Sequence, residues 1–495
     1  MTRRTFLPAL ATPALAQQSR FAPNWASLDS RPAPAWYQDA KFGIFIHWGV
    51  YAVPSFANVG KYSEWYWNAL TAGRSGKSND PNQLATWEFH KRVYGADFPY
   101  RAFASMFKAE LFKPEDWAET FRKSGAKYVA LTSKHHDGFC LWGNEHANKS
   151  WERPWNALSI GPRRDVLGDL TNAVRAAGLR MGYYYSLYEW YNPIWLSDRK
   201  RYVAEHMAPQ FQDLVNRYKP AIIFSDGEWD MPSADWHSEE LLAWLYNESP
   251  CRDEVIVNDR WGKETRHHHG GYFTTEYTAG LQDASHPWEE NRGMGRSYGY
   301  NRMERARDYR TAREMILMLV DLVSRGGNLL LDIGPAADGR IPELQEEKLL
   351  EIGEWLAVNG EAIYGTRPWT PPGQAKPRTR QWSAGRVPEF TASTYMSRYE
   401  IDDYIANPKP GGAAIEAFFT AKGSTVYAIV PGWPGSTVTL KDVRLGSNGG
   451  ARLLGAGAPV RHRASGGDLV LDLPAVAPTG SHVQCAFAIR LDGVA

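Results

Sequence analysis

The residues most able to do chemistry lie in Ala221–Asp230, AIIFSDGEWD. Ala221-Ile222-Ile223-Phe224 is a short apolar run closed by Ser225, Asp226 and Gly227, and it reads as a buried strand with Asp226 at its C-terminal end. In α/β folds reacting groups gather at that end. Asp-Gly alone is also a turn signal. Glu228 and Trp229 follow directly, so two acids and an indole fall within four positions. A carboxylate beside an aromatic face suits a sugar ring, which presents C–H patches and hydroxyls together. Two carboxylates flanking a glycosidic bond are the minimal machine for its hydrolysis: one ionised to attack, one protonated to release the leaving oxygen. Asp226 is the candidate for the first role. Glu276, Glu289 and, less favoured, Glu228 are candidates for the second.

Histidines form a second group. His47, His135 and His136 all follow predicted strand ends and suit sugar hydroxyls as neutral imidazoles. Histidine is also the commonest transition-metal ligand. Against a metal, His135 and His136 are adjacent and diverge in extended backbone, no HExxH or HxH occurs, and His267-His268-His269 sits in a Gly-flanked polar loop. Arg260, in Asn258-Asp259-Arg260-Trp261, is the third group. A cation near two carboxylates keeps one of them ionised.

The surrounding chain predicts the elements that position these groups. Strands are expected at Lys41–Gly49, Lys127–Thr132, Arg180–Tyr185, Ala221–Phe224, Glu254–Val257, Gly271–Thr275 and Asn328–Ile333. Helices are expected near 113–124, 165–177, 198–218, 236–247, 306–325 and 342–359, whereas Thr71–Pro99 reads as a polar inserted excursion. Strands alternating with helices imply parallel βα units, and the span predicts an α/β fold: a (β/α)8-like, TIM-type barrel over residues 22–366. Four prolines make 367–377 a stiff linker. Short β-type runs separated by Gly, Ser and Pro then predict an antiparallel β-sandwich over 378–495.

Composition sets the bounds. The chain has 495 residues, with 56 basic and 55 acidic side chains for a net charge of +1. No global field favours nucleic acid. Aromatics make up 13%, including 21 Trp and 25 Tyr, an excess that serves either core packing or carbohydrate stacking. Three cysteines without a CxxC pair give neither a disulfide scaffold nor a thiolate metal site. Arg3-Arg4 before Phe6-Leu7, then Ala14-Leu15-Ala16, resembles a Tat-like export signal over residues 1–16 and predicts a periplasmic or secreted protein. No stretch approaches 18 consecutive apolar residues, so no membrane span is expected.

Taken together, FGIFIHWG, SEWYW, LTSKHHDGF, YYYS, FSDGEW, NDRW and GYFTTEY occur in one order from about Trp36 to Trp369. The ordered set resembles an α-L-fucosidase of glycoside hydrolase family 29. The resemblance implies a retaining exo-glycosidase on a distorted (β/α)8-like barrel with a C-terminal sandwich, no cofactor, and fucosylated glycans as substrates; it leaves the oligomeric state open. It implies Asp226 as nucleophile and, through Thr275-Glu276-Tyr277, Glu276 as acid/base with Glu289 as runner-up. His47, Glu64, Trp65, His135, His136, Tyr185, Phe224 and Arg260 match positions that hold the sugar. Phe224 stands where the family often has Trp, and Thr275 where it often has Pro. The SDGEW form resembles the broad-specificity branch. Two other readings follow from the same residues: a fucose-binding protein without catalysis, and a metal-dependent hydrolase.

Overall fold

A computed structural model describes residues 21–282, 285–389, 399–456, 459–474 and 485–495; the expected export signal lies outside them. Eight parallel strands form the N-terminal part: β1 Phe42–Ile46, β2 Tyr128–Lys134, β3 Arg180–Ser186, β4 Ile222–Asp226, β5 Ile256–Val257, β6 Phe273–Glu276, β7 Trp288–Gly293 and β8 Asn328–Ile333. Their order is β5-β4-β3-β2-β1-β8-β7-β6. Across the β5/β6 seam, Gly271 and Tyr272 N–H both donate to the Val257 carbonyl. Helices such as Pro114–Lys123, Val166–Ala176 and Ala312–Ser324 return the chain between strands, and Glu343–Asn359 follows the last strand. The first of these has Pro114 in its opening turn with Glu115 and Asp116, the residues that a helix N-terminus favours.

Alternation along each strand splits the core in two. One set, including Phe45, Ala130, Tyr184, Ile222, Phe224, Ile256 and Leu330, fills the barrel interior. The intervening residues, including Ile44, Ile46, Val129, Leu131, Tyr185, Ile223 and Leu331, pack with the helical shell. Side chains at i and i+2 share a face of a strand. This parity decides which strand residues can reach the mouth.

Two expectations are corrected. Residues 71–99 are not a polar excursion: Pro81–Val93 is a helix, its N-terminus capped by the Asp80 side chain. The seventh strand, Trp288–Gly293, was not expected. Its sequence WEENRG is polar, yet all six residues are buried.

The C-terminal part is antiparallel. Arg367–Pro368 (β9), Arg380–Trp382 (β10), Ile415–Lys422 (β11), Thr425–Pro431 (β12), Thr437–Leu440 (β13), Leu445–Leu453 (β14), Pro459–Ser465 (β15), Asp468–Asp472 (β16) and Ala486–Val494 (β17) join in the order β10-β11-β12-β17-β14-β15-β16-β13, with β9 on β11. The Pro-rich segment thus contributes a strand to the sheet. Phe419, Ala428, Leu453, Leu471 and Ile489 meet in a core of their own. This half docks on the barrel helices through Trp355, whose indole N–H donates to the Ala486 carbonyl at 2.8 Å, and through Asp321, which pairs with Arg325 and Arg380.

Candidate active site

Asp226 is the last residue of β4, and Glu276 the last of β6. Gly227 ends β4 at φ +78°, and a Cβ there would lie 2.3 Å from the Tyr188 ring. Only glycine fits this turn, which carries the chain away and leaves Asp226 at the mouth. Arg260 joins the two acids. Its Nη1 donates to Asp226 Oδ1 at 2.9 Å and its Nη2 to Glu276 Oε2 at 3.1 Å. Nε bonds Thr274 Oγ1 at 3.0 Å, and the guanidinium lies 4.8 Å above the Phe224 ring, so the fork is fixed. Asp226 is 8% exposed and Glu276 5%.

Asp226 has further partners on its other side. Tyr184 OH donates to Oδ2 at 2.9 Å, His136 Nε2 lies 3.5 Å from the same oxygen, and Arg266 Nη2 lies 3.6 Å from Oδ1. Burial pushes the Asp226 carboxyl up, but the Arg260 guanidinium, with Arg266 beside it, outweighs burial and holds the carboxyl well below the usual range. Asp226 is therefore a carboxylate at neutral pH. Glu228 is paired with Arg266, Nε to Oε1 at 2.5 Å. Its burial dominates and raises its carboxyl.

Two of the three histidines, His47 and His136, are held by their Nδ1 atoms. His47 Nδ1 is 2.6 Å from Asp332 Oδ1, and His136 Nδ1 is 2.6 Å from Ser186 Oγ, which itself donates to the Tyr188 carbonyl. Burial pushes His47 down to about 3 and also lowers His135 and His136, so all three stay neutral. With Nδ1 occupied, His136 presents Nε2 towards Asp226. Glu64, in the turn Ser63–Trp65, accepts Gly299 N–H at 2.9 Å, and burial lifts it to about 7. Trp65 packs beside Trp190 and Trp229 around His136, forming an aromatic wall over Asp226.

One cleft brings together His47, Glu64, Trp65, His135, Phe224, Asp226, Arg260 and Glu276. Two expected residues are elsewhere. Tyr185 points to the helical shell, where its hydroxyl donates to the Met207 carbonyl and to Gln210 Oε1. Its neighbour Tyr184 occupies the mouth instead, because strand parity turns only one of the two inward. Glu289 lies in β7 level with Thr274, two residues below the register of Glu276 with Asn291. That places it about 7 Å deeper, on the barrel floor, where Tyr37 and Tyr128 hydroxyls donate to it. It is fully buried. Residues that sequence reasoning missed include Arg266, Asp332, Asn291 and Tyr298. Tyr298 stacks on His47 at 4.7 Å and bonds Asn291 at 2.6 Å. Among the described residues no group of three or more His, Cys, Asp or Glu could hold a metal ion.

This geometry can be set beside known proteins. A family model for alpha-L-fucosidase matches residues 9–361. The chain belongs to the alpha-L-fucosidase family. Its relatives in that family are glycoside hydrolases, and the chain shares their class. Human tissue alpha-L-fucosidase is 38% identical over 485 residues, covering 96% of this chain and 92% of the human one. An alpha-L-fucosidase of Dictyostelium discoideum is 46% identical over 364 residues, 72% of this chain and 76% of that one. The crystal structure of Thermotoga maritima alpha-fucosidase in complex with fucose superposes with a TM-score of 0.74 at 34% identity, covering 95% of this chain and all of that one. Both the barrel and the C-terminal sheet domain are therefore family architecture.

Proposed function

We propose that this chain is a retaining exo-α-L-fucosidase acting on fucosylated glycans, with Asp226 as nucleophile and Glu276 as acid/base. The observation that carries this reading is the single guanidinium of Arg260 bonded to both carboxyls. Two acids each one hydrogen bond from the same cation fit the close spacing, about 5–5.5 Å, of a retaining pair. Asp226 attacks the anomeric carbon while Glu276 gives its proton to the leaving oxygen. The fucosyl ester at Asp226 is neutral, and Glu276 is then the carboxylate. Arg260 thus faces one negative charge before and after the first step, on different partners. Water deprotonated by Glu276 opens the ester, and configuration is retained.

Neutral His47, His135 and His136 exchange hydrogen bonds with sugar hydroxyls in this scheme, and Trp65 with Trp229 covers an apolar face of the ring. Asp226→Gly is expected to lose several orders of magnitude in rate and to recover turnover with azide, giving the β-fucosyl azide. Glu276→Ala is expected to fail on poor leaving groups, to keep more activity on activated aryl fucosides, and to give the α-azide. Near-wild-type rates in Asp226→Gly would end the assignment. Export is a further proposal, resting on Arg3-Arg4 and Ala14-Leu15-Ala16. Secreted protein should begin at Gln17, and secreted protein still carrying Met1 would refute it.

A further inference from the structure

A second cavity, about 150 Å³, adjoins the cleft, and Tyr62 lines both. The Tyr62 hydroxyl donates to Glu276 Oε1 at 3.2 Å. Glu276 must face the leaving oxygen to protonate it, so the departing group lies on the Glu276 side of the fucose, away from Asp226. The cavity beyond Tyr62 is on that side. Its walls suit a sugar: the Tyr62 and Tyr277 rings stand 6.1 Å apart at 25°, and Arg292 lies 5.4 Å over Tyr277. Tyr399 and Glu400, from beyond the Pro-rich segment, complete it.

Among the described residues, the charge lining this cavity is unbalanced. Three arginines line it: Arg292, Arg296 and Arg310. Arg292 faces Glu290 at 3.3 Å, and Arg310 bonds both oxygens of Glu400 at 3.0 and 3.1 Å. Arg296 is exposed, and its side chain makes no ion pair with any described residue. The nearby Glu304 accepts the Arg296 backbone N–H, and its burial lifts it to about 7, so it supplies only part of a charge at neutral pH. A guanidinium fork in a tyrosine-walled cavity matches a planar or tetrahedral oxyanion on a sugar ring.

We propose that this cavity is the leaving-group subsite and that it selects a sugar bearing an anionic substituent, a carboxylate or a sulfate ester, bound by Arg296. The inference rests on Glu276 as acid/base. Three fucosyl disaccharides of one linkage test it, with galactose, galacturonic acid or galactose 6-sulfate at the reducing end. Wild-type kcat/KM is expected to favour one or both acidic substrates over the neutral one by about five- to tenfold, the range of a partly exposed charge-assisted contact. Whichever acid is preferred identifies the source of the charge. Arg296→Gln should bring the ratio to about one, Arg296→Lys should keep part of it, and added salt should shrink it. Equal or lower kcat/KM for both acidic substrates in the wild type would overturn the proposal. A preference that survives in Arg296→Gln would do the same. No turnover of any of the three, the neutral disaccharide included, would instead overturn the fucosidase reading beneath it.

Discussion

Replacing Arg260 by Met removes the one cation among the described residues that bonds both carboxyls while keeping an unbranched side chain over Phe224. The effect on Asp226 can be sized. A hydrogen bond to a charged group is worth about 1.5–3 kcal/mol, and one pKa unit corresponds to about 1.36 kcal/mol. Asp226 is nearly buried, so solvent screens little of this. Losing the 2.9 Å bond from Arg260 should therefore raise the Asp226 carboxyl by about one to two units. Tyr184, His136 and Arg266 still face it, and Glu228 pushes it further up. In the wild type, Asp226 ionisation should leave kcat/KM flat on the acid side down to about pH 4, near the ordinary carboxylate value. In Arg260→Met an acid limb should appear one to two units above the wild type's, with kcat down about a hundredfold from lost charge stabilisation. Stability should follow the same linkage. A depressed folded value stabilises the wild type above about pH 3.9, and this is lost as pH falls through the folded value. The wild type should thus exceed the variant in thermal stability near neutrality, with the gap closing in acid. A folded Arg260→Met enzyme with an unchanged acid limb would refute the reasoning.

Tyr184 and Tyr185 form a matched pair. Tyr184→Phe removes a bond to Asp226, the proposed nucleophile, and should lower kcat/KM about tenfold or more, with the acid limb moved up. Tyr185→Phe should cost about 1 kcal/mol of stability by losing its bonds to Met207 and Gln210, with kinetics unchanged; the reverse pattern would restore Tyr185 to the site. Glu289→Gln addresses the floor. Burial lifts the Glu289 carboxyl from 4.5 to about 7. It contributes its full share to stability below its unfolded value, and this is lost as pH rises through about 7. The Gln variant should thus gain on the wild type as pH rises, by on the order of 3 kcal/mol. Thermal melts from pH 4 to 9 check this, and a gap that does not widen would show that Glu289 stays ionised without penalty.

What was legible in the sequence was position along strands; what was hidden was the direction and depth of side chains. Asp226, Glu276, His47 and Arg260 were found because each follows an apolar run whose end marks the mouth of a parallel barrel. Tyr185 shows the limit of that logic. In Arg180–Ser186 three tyrosines follow one another, so composition gives no alternation to read, and a shift of one residue exchanges the mouth for the helical shell. The partners decide it: Tyr183 meets Thr171, Tyr184 meets Asp226, and Tyr185 meets Gln210. Trp288–Gly293 shows the second limit. Pattern reading equates a buried strand with an apolar run, and WEENRG has none. Its acids survive burial through specific donors drawn from distant parts of the chain. Tyr37 and Tyr128 bond Glu289, whereas Thr275 and Thr278 bond Glu290. Such donors lie outside the strand and leave no local trace, and at Glu289 they reach Oε2 alone, Oε1 having no hydrogen-bond partner among the described residues. The same cause left two candidates for the proposed acid/base. Glu276 and Glu289 both lie inside the barrel on adjacent strands, both inward, and differ by one layer of depth. Only the register that pairs Thr274 with Glu289 separates a carboxyl that Arg260 can reach from one sealed beneath the aromatic layer.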